Sequence, residues 1–74
     1  MEIKWLREAL LELAALPARE QAAIDRAVHK LRQDGPYLGS PHTSAVLGAS
    51  EAIRELRPRA GRSPWRVFYR RVGS

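Results

Sequence analysis

An α+β domain is the expected fold: a short N-terminal strand, a helical hairpin, then an antiparallel β-hairpin forming a small sheet with helices packed on one face. Three observations predict it. Apolar residues recur at helical spacing in two stretches before residue 35. Two later runs alternate side chains in the manner of strands. Pro and Gly punctuate the joints between these stretches. At 74 residues the chain makes one domain, residues 1–74, near the lower limit at which a single apolar core holds a fold together.

Residues 2–5 (EIKW) alternate Ile3 and Trp5 with charged Glu2 and Lys4, which predicts a strand leading into a helix. From Leu6 the spacing turns helical. Leu6, Leu10 and Leu13 lie at i, i+4 and i+7, with Ala9 filling the stripe. Pro17 ends this helix near Leu16 and can open the next, because a first helical turn has no use for the missing N–H. In the second helix Ile24, Ala27, Val28 and Leu31 make one apolar face, while Arg19, Glu20, Arg26, Lys30 and Gln33 lie away from it. Asp34-Gly35-Pro36 is a stop signal, with Gly35 suited to the left-handed position after the helix. Two amphipathic helices joined so tightly predict an antiparallel pair.

Residues 36–50 (PYLGSPHTSAVLGAS) predict a long irregular connection, anchored by Leu38, Val46 and Leu47. Two strand-like runs follow, AIRELRPR and PWRVFYRRV. They are separated by AGRS, where Gly61 suits a hairpin turn.

Composition excludes several functions. Without cysteine there is no disulfide framework, no thiolate chemistry and no Cys-based zinc site. His29 and His42 stand alone, without metal-ligand spacing, so neither a metal nor a cofactor is expected. His29 and Lys30 read as ordinary surface groups, and His42 as a hydrogen-bonded loop residue rather than a general base. The opening segment mixes Lys, Arg and Glu into its apolar positions, unlike a signal peptide. No apolar run approaches the roughly 20 residues that span a bilayer. A cytoplasmic setting with no membrane partner is the expectation.

Charge is the most informative feature. The net +5 divides into −1 over residues 1–51 and +6 over residues 52–74, where seven arginines face Glu55 alone. Every base in that last third is Arg. Its planar fork of donors matches phosphate or carboxylate oxygens, whereas solubility would be served as well by Lys. A polyanionic partner is implied.

Strand alternation says where these arginines point. In the first run Ile53, Glu55, Arg57 and Arg59 share one face, and Arg54 and Leu56 the other. In the second, Trp65, Val67 and Tyr69 oppose Arg66, Phe68 and Arg70. The helices need an apolar sheet face to cover, so Leu56, Val67, Trp65 and Tyr69 are expected inside. Glu55, Arg57, Arg59, Arg66 and Arg70 are then expected together on the open face, with Phe68 among them. That face is either a merely solvated sheet surface or one that binds nucleic acid, stacking a base on Phe68 and placing guanidinium forks on phosphates. Neither helix offers a basic face to lay in a DNA groove.

Four stretches taken in order resemble the RelE/ParE superfamily of bacterial type II toxins, nearest its HigB-like, phage-derived branch. IKWLREALLELAALP is similar to that superfamily's opening strand and first helix. QAAIDRAVHKLRQDGPYLGSPHT is similar to its second helix and the connection after it, and AIRELRPRAGRSPWRVFY to its central hairpin. The likeness implies a toxin that inhibits translation as a ribosome-dependent mRNA endonuclease and is neutralised by a cognate antitoxin, often of helix-turn-helix type. Such cleavage is attack of a ribose 2′-OH on the adjacent phosphate. It needs a base, charge stabilisation for the phosphorane, and an acid for the leaving 5′-oxygen. By resemblance, Arg66 would stabilise the transition-state phosphate and Arg57 would hold the RNA backbone. Arg59, Arg62, Phe68 and Arg70 would make further RNA contacts, and Tyr69 would be a core residue.

Two departures bear on this. Glu55 stands where some relatives carry a catalytic lysine. The chain also ends at Arg71-Val72-Gly73-Ser74, where the superfamily continues into another strand, so a C-terminally truncated domain is expected, with an open sheet edge filled by a homodimer or a partner chain. Two other functions share the resemblance: a catalytically inactive antitoxin-binding module, and a ParE-like gyrase inhibitor.

Overall fold

A computed structural model describes residues 2–48 and 53–70. Its helices are α1 (Arg7–Ala14) and α2 (Ala18–Asp34), and its strands are β1 (Thr43–Ala45), β2 (Arg54–Leu56) and β3 (Val67–Tyr69). The strands form one antiparallel sheet in the order β1-β2-β3. The α+β class holds, but the third strand is not the expected one. Residues 2–6 form no strand; Ile3 and Trp5 instead pack as partly buried side chains against the core. The added strand comes from the connection expected to be irregular. Thr43-Ser44-Ala45 is too short, and too closely flanked by Pro and Gly, for its alternation to stand out.

α2 carries the core. Ile24, Val28 and Leu31 are buried with Leu38 and Leu56, and Leu13, Leu16, Ala27, Val67 and Tyr69 pack against them. Pro17 begins α2 as its N-cap, and Gly35 ends it with φ 53° while its N–H bonds the Leu31 carbonyl. The Gln21 amide donates to the carbonyls of Ala14 and Leu16, tying the end of α1 to the first turns of α2.

The expected α1 stripe packs only in part. Leu13 and Leu16 reach the core, whereas Leu6 and Leu10 are 74% and 48% exposed. Leu47, expected as an anchor, is exposed as well, while Leu38 is buried. Its neighbour in the connection, Thr43, is 1% exposed because its hydroxyl is paired on both sides. It donates to the Leu38 carbonyl and accepts from Arg54.

The register is Thr43↔Leu56↔Val67, Ser44↔Glu55↔Phe68 and Ala45↔Arg54↔Tyr69. Residues directly opposite share a face, so Thr43, Leu56, Val67 and Tyr69 look toward the helices and Ser44, Glu55 and Phe68 look away. Trp65 precedes β3, is 43% exposed and does not join the core, contrary to expectation. The turn between β2 and β3 is also longer than AGRS. Arg57 is still extended; the chain then passes through a 3₁₀ turn at Pro58–Gly61, with Arg59 and Ala60 at left-handed φ of 56° and 55°.

Leu56 is buried to 1% exposure and lies at the centre of the rung Thr43↔Leu56↔Val67, which faces α2. Leu56→Ala is expected to cost about 2–5 kcal/mol in urea unfolding; a loss below about 1 kcal/mol would contradict this placement.

Candidate nucleic-acid interface

The outward face of the sheet is organised around Glu55. Continuing the β2–β3 register by one rung beyond Leu56↔Val67 sets Arg57 opposite Arg66, both on the Glu55 side. Two guanidinium groups directly opposed would repel. The Glu55 carboxylate sits between them, its Oε1 3.8 Å from Arg57 Nε and 3.9 Å from Arg66 Nε. Ser44 of β1 donates to the same oxygen at 3.0 Å, so three consecutive elements of the sheet fix this carboxylate. The three charged side chains are only 25–31% exposed, which limits the screening of their attraction by solvent.

The two arginines are held differently. Arg66 donates through Nη1 to the carbonyls of Ser63 and Trp65, and through Nη2 to that of Gly61. Of its five N–H donors, three therefore close the β2–β3 connection. Arg57 makes no such bonds; its buried Nε has no hydrogen-bond partner among the described residues. Its guanidinium lies against Gly61, where an added Cβ would fall 2.9 Å from Nη2. The φ of +91° at position 61 is what favours glycine there; the Arg57 guanidinium is the flexible end of a side chain and could move aside.

Arg59 does not join the wall. The chain leaves the strand at Pro58, so alternation no longer governs its direction, and its guanidinium turns to α2, donating to Glu20 Oε1 at 3.3 Å and to the Arg19 carbonyl. Glu20 Oε2 accepts from the Ser63 hydroxyl, which in turn accepts from the Trp65 N–H. Glu20, expected to lie away from the packed face, has a side chain only 15% exposed. Glu20, Ser44 and Ser63 are the polar anchors that the sequence pattern does not single out, because each works through a contact distant in the chain.

Arg62 is exposed, with Nε on the Arg59 carbonyl. Phe68 is 63% exposed on the same face as Glu55, and Arg70 is exposed just beyond β3. His42 is bonded through its backbone, accepting from the Arg57 N–H at 2.7 Å and donating to Gly39. These bonds make it the hydrogen-bonded loop residue that the sequence led one to expect. No group of His, Asp or Glu able to hold a metal ion is present among the described residues, and none of their helices is long and apolar enough to cross a membrane.

The profile of the family described as "Phage derived protein Gp49-like (DUF891)" matches residues 11–72, and the chain belongs to that family. A family of this kind implies an antitoxin partner in general. No curated protein and no solved structure matches the chain.

Removing the shared carboxylate tests the wall. Glu55→Ala leaves two opposed guanidinium groups without their counter-charge and Ser44 without its acceptor. A loss of about 1–2 kcal/mol is expected, shrinking at high salt. Unchanged urea stability at low salt would contradict the arrangement.

Proposed function

We propose that the chain is the toxin of a type II toxin–antitoxin system and cleaves mRNA on the ribosome, with Arg57 and Arg66 as the charge-stabilising pair. The observation that carries this reading is the convergence of both guanidinium groups, from neighbouring strands, beside Glu55 on the outward sheet face. In the reaction a ribose 2′-OH gives its proton to a base as its oxygen attacks the adjacent phosphorus, and the 5′-oxygen departs taking up a proton, leaving a 2′,3′-cyclic phosphate and a 5′-hydroxyl. Negative charge grows on the non-bridging oxygens at the phosphorane. Preorganised donors aimed at that charge lower the barrier most.

Arg57 takes the larger share of this work, because its N–H groups are not committed to backbone carbonyls. Arg66, with three donors on the connection, supplies charge and holds the wall in place. Phe68 offers a face on which a base stacks, with Arg62 and Arg70 binding the strand's phosphates. Arg59 contributes less than its position in the sequence suggests, since Glu20 engages it.

A second reading, an antitoxin-binding module without nuclease activity, is favoured by one observation. An apolar groove of about 590 Å³ runs between α1 and β3, lined by Trp5, Leu6, Leu13, Leu16, Trp65 and Phe68 among others, and β3 is an edge strand among the described residues. A segment of a partner chain would bury this surface. Tight antitoxin binding with no cleavage at any concentration would establish the second reading.

In a translating extract, Arg57→Ala and Arg66→Ala are each expected to lower mRNA cleavage about 100-fold or more, with helical circular dichroism unchanged. Cleavage by either variant at the parental rate would remove that residue from the mechanism. Gyrase-dependent DNA breaks on expression would replace the ribonuclease reading altogether.

A further inference from the structure

A second concentration of positive charge, sharing only Arg57 with the outward face, lies on the helix side of the sheet. Ala23, Arg26, Ala27 and Lys30 fall at i, i+3, i+4 and i+7 on α2 and line a cleft of about 280 Å³ floored by Leu38 and Leu56, with His42, Arg57 and the Glu20-paired Arg59 on its other side. The two alanines leave the space; the basic groups edge it. No Asp or Glu belongs to the lining. Arg26 and Lys30 form no ion pair or side-chain hydrogen bond among the described residues, and the His42 imidazole is equally unengaged. The Arg57 N–H to His42 carbonyl bond, at 2.7 Å, holds those two residues next to each other.

Basic side chains crowded around a concavity repel one another, and a bound anion relieves that repulsion. Two of the nearby carboxylates are engaged elsewhere: Glu20 by Arg59 and Ser63, and Glu55 by Ser44 and the outward-face arginines. We propose that this cleft is an anion site for a phosphate group, with Arg26, Lys30 and His42 as its ligands and Arg57 at its border. Guanidinium and ammonium donors suit phosphate oxygens by geometry and charge. The phosphate of an RNA strand and a free phosphate compound share this chemistry. The inference goes beyond the ribonuclease reading and does not depend on it.

Isothermal titration of the full chain with inorganic pyrophosphate tests it. Saturable binding at one site is expected. Arg26→Ala combined with Lys30→Ala should weaken it about tenfold or more. The double variant Lys4→Ala, Arg7→Ala removes the same charge from residues outside the cleft and should leave binding within about twofold of the parent. Adding a short single-stranded oligoribonucleotide separates the two sources: displacement of pyrophosphate marks the site as one for RNA phosphate, and no displacement marks it as one for a free phosphate compound. Absence of saturable binding, or equal weakening by both double variants, overturns the proposal. Binding is measured without ribosomes, so its failure leaves the ribonuclease reading intact, and a parent chain inert toward mRNA leaves this site intact.

Discussion

The Glu55 carboxylate is the constraint around which the outward face is built. It occupies the middle rung of a three-stranded sheet, fixed by Ser44 on one side and flanked by Arg57 and Arg66 on the other. Without it, the register that packs Leu56 on Val67 would also set two guanidinium groups against each other. Apolar packing on one face and charge pairing on the other therefore demand the same alignment. A slip of one residue would expose Leu56 and bury Glu55 together.

A second carboxylate divides the remaining work. Glu20, in the first turn of α2, takes Arg59 and Ser63 from the connection between β2 and β3 and so docks that connection on the helix. Arg66 closes the same segment from within by bonding its carbonyls. These contacts accompany two left-handed, non-glycine residues, Arg59 and Ala60, a conformation that costs roughly 1–2 kcal/mol per residue. The arginine-rich segment is thus not uniform: Arg59 and Arg66 are structural to differing degrees, and Arg57 is the least committed of the three.

Much of this was legible in the sequence. The apolar spacing of Ile24, Val28 and Leu31 and the stop at Gly35 define α2 without tertiary information. Alternation alone places Glu55, Arg57 and Arg66 on one side and Leu56, Val67 and Tyr69 on the other. What failed to show were features set by distant partners. Thr43 becomes a strand residue because Leu56 lies opposite it, and Arg59 leaves the wall because Glu20 is within reach. Local pattern also misled at Leu6 and Trp65, where apolar character reports a groove rather than the core, and at Leu10, which is exposed. The N-terminal residues Ile3 and Trp5 alternate like a strand yet pack against the core without joining the sheet.

The chain belongs to a toxin-like family, and its outward sheet face brings two arginines together beside Glu55. The account depends most on Arg57 and Arg66 projecting to the Glu55 side of the sheet. Nuclear Overhauser contacts of the arginine side chains in solution test this directly. The side-chain protons of both Arg57 and Arg66 should contact those of Glu55. Contacts from either arginine to Val28 or Leu31 of α2, in place of Glu55, would set the two guanidinium groups on opposite sides and contradict the account.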